Sequence, residues 1–256
     1  VDHREVVKTP YGEASAPLIH GRFGDVELVF LPRHGSGHRL PPDRINYRAN
    51  IWAMKHLGIR EVIGIATVGG ISSPPNSLVI PDQIIDYTWG REQTFFDGLD
   101  GNVSHIDFSE PYCESLRKKL IVAARASGSH PINGGVYGAT QGPRLESSAE
   151  IRRLERDGCD MVGMTGMPET ALARELGLCY ASTAVVANWA AGRGDGPIRG
   201  ETIDANLKTG MGRVKTLLER EWVRVVGHRD VPGHPAMYGT TKQFLDYFSL
   251  KSLEEL

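Results

Sequence analysis

The feature that most constrains this chain is a series of short apolar runs, each bounded by turn formers and separated from the next by helix-period segments. Residues 26–31, 62–68, 78–80, 160–162 and 180–187 are such runs. Runs this apolar read as strands buried on both faces. Between them, 45–57 places Tyr47, Ile51, Met54 and Leu57 about one turn apart, with Gly58 as a stop signal. Segment 112–126 sets Leu116, Leu120 and Ala123 on one face. Further helices are expected over 149–156, over 168–176 and over 201–219. In the second of these Pro168 is read as the first helical residue and Gly177 follows the end. Strands alternating with helices predict one α/β domain over residues 1–220, with helices on both faces of a sheet. Residues 221–256 differ, with Gly227, Pro232, Gly233, Pro235 and Gly239 before an amphipathic stretch at 241–256. They are expected to form a C-terminal extension that packs a short helix on the body or on a neighbouring subunit, with a functional lid as the alternative.

Composition removes several function classes. Of 256 residues, 40% are hydrophobic and 23% charged, which excludes disorder for the bulk of the chain. Lys and Arg number 29 against 31 Asp and Glu, so no global positive field attracts nucleic acid. The apolar runs fall far short of the roughly 18 residues that a membrane span needs. Cys113, Cys159 and Cys179 cannot all pair and show no C-x-x-C spacing. They predict a reducing, cytoplasmic setting without a disulfide scaffold or structural zinc. The chain opens on Val1 without a signal pattern, so its true beginning is expected to lie upstream.

Common catalytic motifs do not match. There is no Walker A sequence, the glycines at 192, 194 and 196 do not form G-x-G-x-x-G, and no G-x-S-x-G elbow occurs. His34 and His38 are four apart, but the intervening Gly35-Ser36-Gly37 disfavours a helix, so no metal pair is expected.

The informative residues are those just after the apolar runs, where ligands bind in open α/β sheets. Arg33 and His34 offer a bidentate fork beside a switchable donor, a suitable anion clamp. Ala66 and Thr67 are read as a turn flanked by glycines that admit close backbone approach. Thr165 precedes a helix start, where free N–H groups favour an anion. Together they suggest a phosphate site, although each alone is equally consistent with an ion pair or a helix cap.

Longer motifs then carry a resemblance. Thr9-Pro-Tyr-Gly, Arg33-His-Gly, Ile45-Asn-Tyr-Arg-Ala-Asn-Ile-Trp-Ala and Thr140-Gln-Gly-Pro-Arg lie in the first part. Val162-Gly-Met-Thr-Gly-Met-Pro-Glu and Val186-Ala-Asn-Trp-Ala-Ala-Gly follow. From about residue 9 to about 220 the chain resembles the trimeric purine nucleoside phosphorylase and methylthioadenosine phosphorylase family, and within it most of all the S-methyl-5'-thioinosine phosphorylases. The resemblance implies a single domain with a mixed central sheet flanked by helices. It also implies reversible phosphorolysis of a purine nucleoside, with inorganic phosphate as co-substrate and no other cofactor or metal. It places phosphate on Arg33, His34, Ala66, Thr67 and Thr165, and the ribose beside Met164. His38 and Leu145 fall near the 5' group and the base, and Trp189 and Ala190 in the substrate pocket. His105 reaches a neighbouring subunit's pocket, which implies a homotrimer. Ile203 and Leu207 surround the 5' substituent, although Asn206 stands where relatives are usually apolar. Nothing before Thr9 contains the family's Gly-rich phosphate turn, which is expected either to precede Val1 or to be lost.

Asn188 carries the substrate class. Adenine-specific relatives have aspartate here and again two residues on, where this chain has Asn188 and Ala190. A carboxamide can donate to O6 or N7 of a 6-oxopurine, whereas an ionised carboxylate only accepts. A mispaired buried polar group costs about 1–3 kcal/mol, which favours hypoxanthine-type bases. The expected reaction is S-methyl-5'-thioinosine with phosphate giving hypoxanthine and 5-methylthioribose 1-phosphate. A general inosine and guanosine phosphorylase, a methylthioadenosine phosphorylase, a purine-binding protein without turnover and a nucleoside hydrolase are the alternatives.

Overall fold

The two longest strands among the described residues are the two longest apolar runs, laid side by side. The computed structural model describes residues 2–23, 26–98, 101–198 and 200–220. Strands β4 (Glu61–Gly70) and β10 (Cys179–Trp189) pair in parallel at the centre of a seven-stranded sheet. Around them lie β5 (Leu78–Ile80), β6 (Gln83–Asp86), β7 (Ile132–Asn133), β8 (Val136–Ala139) and β9 (Met161–Gly163), in the order β6-β8-β9-β4-β10-β5-β7. The sheet is mixed: β9 runs antiparallel to β4 and β5 antiparallel to β10, while the outer pairs are parallel.

Five α-helices lie among the described residues: α1 (Tyr47–His56), α2 (Glu114–Ala126), α3 (Ser148–Arg156), α4 (Glu169–Glu175) and α5 (Gly200–Arg220). Helices α1 and α4 stop where expected, at Gly58 and Gly177, each with positive φ. Gly58 N donates to Lys55 O and Gly177 N to Arg174 O, closing the last turns. Pro168 is the N-cap of α4, not its first helical residue, because the helix begins only at Glu169.

Opposite faces of β10 feed different apolar clusters. Val185 packs with Leu207, Met211 and Val214 of α5 and with Leu116 and Leu120 of α2. Ala184 and Val186 pack with Ala66, Val68, Tyr137 and Met161. Helix α5 lies close on β10 because residue 210 is glycine: a Cβ there would stand 2.2 Å from Val185 Cγ1.

Three further expectations are corrected. The run at 26–31 is not part of the central sheet; as β3 (Val26–Phe30) it joins β1 (His3–Glu5) and β2 (Leu18–Phe23) in a separate antiparallel sheet, since its hairpin partner β2 supplies the ladder. Ala66 and Thr67 are not a turn, because β10 carries β4 on through Gly70 with Ala66 opposite Ala184 and Thr67 opposite Val185. Cys113 and Cys179 do form a disulfide, with Cα atoms 5.1 Å apart, tying the start of α2 to the start of β10, while Cys159 is free and buried. Spacing along the chain carried no sign of it, since 66 residues separate the two. The extension expected over 221–256 lies outside the described residues.

Candidate functional site

Arg33 follows β3 and reaches across to the central sheet. Its Nε and Nη2 donate to Oε2 and Oε1 of Glu169 at 2.8 and 2.6 Å, and Nη1 donates to Ile65 O of β4 at 2.6 Å. The fork that was expected to hold an anion therefore holds a carboxylate of α4. Three of the five N–H groups of the guanidinium are engaged, and the remainder are left for a ligand. Glu169, only 5% exposed, also accepts from Tyr180 Oη of β10 at 2.7 Å. Burial disfavours the Arg33 charge, but the Glu169 carboxylate outweighs it and drives the guanidinium pKa still higher. Burial, with Glu169 beside it, keeps Tyr180 a protonated donor. Residue 64 must be glycine for this network to exist, since a Cβ there would stand 1.9 Å from Tyr180 Oη.

His34 is held by Leu40 O, 2.9 Å from Nδ1, and its ring stacks on His38 with centroids 4.2 Å apart. Burial, with Arg33 and His38 adding their charge, lowers the His34 pKa to about 4, so the imidazole is neutral near pH 7. A cationic clamp is thus not what this pair provides; a neutral donor and acceptor is.

A second half-buried arginine organises the loops opposite. Arg91, after β6, donates through Nη1 to Met164 O and Met167 O at 2.8 and 2.6 Å, and through Nη2 to Thr140 O and Gln141 O at 3.3 and 2.7 Å. Its guanidinium lies 5.5 Å from the centre of the Tyr47 ring. One side chain therefore ties the loop bearing Met164 and Thr165 to the loop at 140–141. Thr165 is buried, and Met164 packs where Gly142 leaves room.

Asn188 sits at a β-bulge. Val186 pairs with Val68 of β4, but Asn188 pairs with Gly69, so Ala187 is the additional residue. In an unbroken register Asn188 would oppose Gly70 and share a face with Val68 and Ala66. The bulge moves it to the face of Thr67 and Val185, the face covered by α5. Thr67 is exposed there, and Asn188 is half-buried, with Nδ2 donating to Trp189 O at 2.7 Å. The second amide hydrogen and Oδ1 remain for a ligand.

The other expected residues are distributed around this centre. Trp189 is half-buried, and a Cβ added at Gly194 would stand 3.4 Å from Trp189 Cβ. Ala190 is buried with Ile71 and Val162. Ile203 is half-buried on α5, but Leu207 is 8% exposed and belongs to the main core, because the α5 face one turn on packs against α2 and β10. His38, His105 and Leu145 are exposed, with the His38 ring stacked on His34. Glu169, Tyr180 and Arg91 were missed. Glu169 stood inside a quoted motif, but nothing local marks it as the partner of a residue 136 positions earlier.

Among the described residues, one group brings three potential metal-ligand atoms within 4.8 Å of one another: His3, Glu5 and His20 on β1 and β2. The two imidazoles stack with an angle of only 11° between their planes, so their in-plane lone pairs do not converge as they stand.

Comparison with known proteins places the chain. Residues 1–220 match the model of the phosphorylase superfamily. The chain belongs to that superfamily. It is 56% identical to a probable S-methyl-5'-thioinosine phosphorylase of Xanthomonas campestris over 74% of this chain and 76% of that protein. It is 50% identical to a 6-oxopurine nucleoside phosphorylase of Pyrococcus furiosus over 73% of each. Among solved structures, the methylthioadenosine phosphorylase of Schistosoma mansoni in complex with adenine superposes with a TM-score of 0.83 at 33% identity, covering 90% of this chain and 86% of that one. Residues 198–256 also match the model of the segregation and condensation complex subunit ScpB. No helix among the described residues is long and apolar enough to cross a membrane.

Proposed function

We propose that the chain is a pentosyltransferase that phosphorolyses 6-oxopurine nucleosides in purine salvage, with S-methyl-5'-thioinosine as its preferred substrate. Phosphate lies between the unengaged N–H groups of Arg33 and the hydroxyls of Thr67 and Thr165, with neutral His34, whose Nδ1–H is given to Leu40 O, accepting from the phosphate's own O–H through Nε2. The C1'–N9 bond breaks with its electron pair moving to the base, and a phosphate oxygen bonds to C1' of the oxocarbenium-like sugar. The products are hypoxanthine and 5-methylthioribose 1-phosphate. Phosphate stabilises and then captures the cation, so the protein's work is positioning and electrostatics. Asn188 donates to O6 or N7 and disperses the charge that accumulates on the departing purine. No electrons pass to an acceptor, and inorganic phosphate is the co-substrate; no cofactor is proposed.

The observation that carries this reading is the placement of a carboxamide, Asn188, by the β10 bulge on the same face as Thr67. The names of the thioinosine and 6-oxopurine relatives support it. A homotrimer in which His105 enters a neighbour's pocket is part of the proposal, as is a cytoplasmic location. The adenine bound by the Schistosoma relative favours a second reading, methylthioadenosine phosphorolysis. Phosphate-dependent base release decides between them. Faster release of hypoxanthine from methylthioinosine than of adenine from methylthioadenosine is expected. Dominant adenine release supports the second reading, and release independent of phosphate rejects both.

A further inference from the structure

We propose that Asn206 of α5 is a positioning residue that holds the β10 bulge and so orients Asn188 toward a 6-oxopurine; this rests on the phosphorolysis reading above. The bulge leaves Ala187 without an opposing residue in β4, and Ala187 is 0% exposed. A buried carbonyl in that state must find a donor elsewhere or cost stability. Asn206 Nδ2 supplies it, donating to Ala187 O at 2.7 Å. The donor is itself rigidly placed. Leu207, Met211 and Val214, following on the same helix, are core residues, and Gly210 brings the helix down on Val185 two residues before the bulge. Helix α5 therefore grips β10 at Val185 through packing and at Ala187 through one hydrogen bond, immediately before Asn188.

The parity of the strand makes this bond matter for chemistry. A slip of one residue returns Asn188 to the face of Val68 and Ala66, among apolar side chains and away from Thr67. An apolar residue at 206 fills the same space but leaves the slip unopposed. The polar side chain at a position where the resemblance implies an apolar one is thereby explained: it faces the strand's backbone and acts on the base through its neighbour.

The test uses Asn206→Leu, which keeps the volume and removes the donor, with Asn206→Gln as the variant that keeps it. We expect kcat/KM for methylthioinosine to fall about tenfold in Asn206→Leu, mostly in kcat, and the preference for the 6-oxo over the 6-amino nucleoside to shrink with it. Asn206→Gln is expected to recover part of both. In an Asn188→Ala background the Leu substitution is expected to cost nothing further. An unchanged preference, or the same loss in the Asn188→Ala background, overturns the proposal, because Asn206 then acts independently of Asn188. Should Asn206→Leu fail to fold, Asn206→Asp, which has no donor when ionised, is read in the same way. A crystal structure of the variant separates this proposal from the reading beneath it. Asn188 still opposite Gly69 with its side chain unmoved overturns the proposal even in a protein that proves inactive. Absent phosphate-dependent turnover in the unaltered chain overturns the phosphorolysis reading alone.

Discussion

Thr67 and Asn188 stand on β4 and β10, while Arg33, Met164 and Thr165 stand on loops, and the two sets are held by different physics. The strand residues are placed by a continuous parallel ladder whose register is fixed by two buried faces, plus one bulge. The loop residues have no ladder. They are placed by two half-buried arginines whose donors are taken up by protein acceptors: Arg33 by Glu169 and Ile65 O, Arg91 by four loop carbonyls. Outside the bulge, where Ala187 O relies on Asn206, the strand half is robust to changes in single polar groups, and the loop half is not, because each arginine concentrates several hydrogen bonds in one side chain.

That contrast can be broken most severely at Glu169. Replacing it by Gln leaves the half-buried Arg33 cation without a counter-charge, and the expected loss of folding free energy by denaturant titration approaches the roughly 3–5 kcal/mol of a fully buried pair. A loss below about 1 kcal/mol would mean that the pair is not the anchor of the loop half. The next effect is expected at Arg91. Arg91→Met strips four carbonyls of a donor, at about 1–3 kcal/mol for each that stays buried and unpaired. Hydrogen exchange should rise at 140–141 and 164–167 while β4 and β10 keep their protection; equal loosening of both strands would erase the distinction.

The smallest effect concerns pH. The folded-state pKa of His34, about 4, lies below its ordinary value of 6.5, so the folded protein binds fewer protons than the unfolded chain. The stability tied to neutral His34 is whole above about pH 6.5 and is lost as pH falls toward 4. By pH 6 the loss is at most on the order of 1 kcal/mol, and solvent screening reduces it. His34→Gln should flatten this acid limb in melting curves taken from pH 7 to pH 5. An unchanged limb would show that the imidazole is not desolvated as described.

What was legible in the sequence follows the same division. The runs at 62–68 and 180–187 announced β4 and β10, because burial on both faces demands continuous apolar residues. The helix stops at Gly58 and Gly177 were legible because a positive φ favours glycine. The bulge was not, since Val186-Ala-Asn reads as an unbroken run and the irregularity exists only against β4. Nor was the occupation of Arg33: a free clamp and a buried pair present the same residue, and Glu169 is distant in the chain. The three cysteines carried no pairing information either, because the Cys113–Cys179 bridge depends on where α2 meets β10. Local chemistry was readable, and long-range pairing of polar groups was not.

The most direct measurement is the ratio of kcat/KM for methylthioinosine to that for methylthioadenosine, with saturating phosphate, in the unaltered chain and in Asn188→Asp. Exchange of donor for acceptor at the base is worth about 1–3 kcal/mol, so the ratio should exceed one in the unaltered chain and fall roughly tenfold to a hundredfold in the variant. A ratio that stays the same in both proteins would contradict the assignment of base recognition to Asn188.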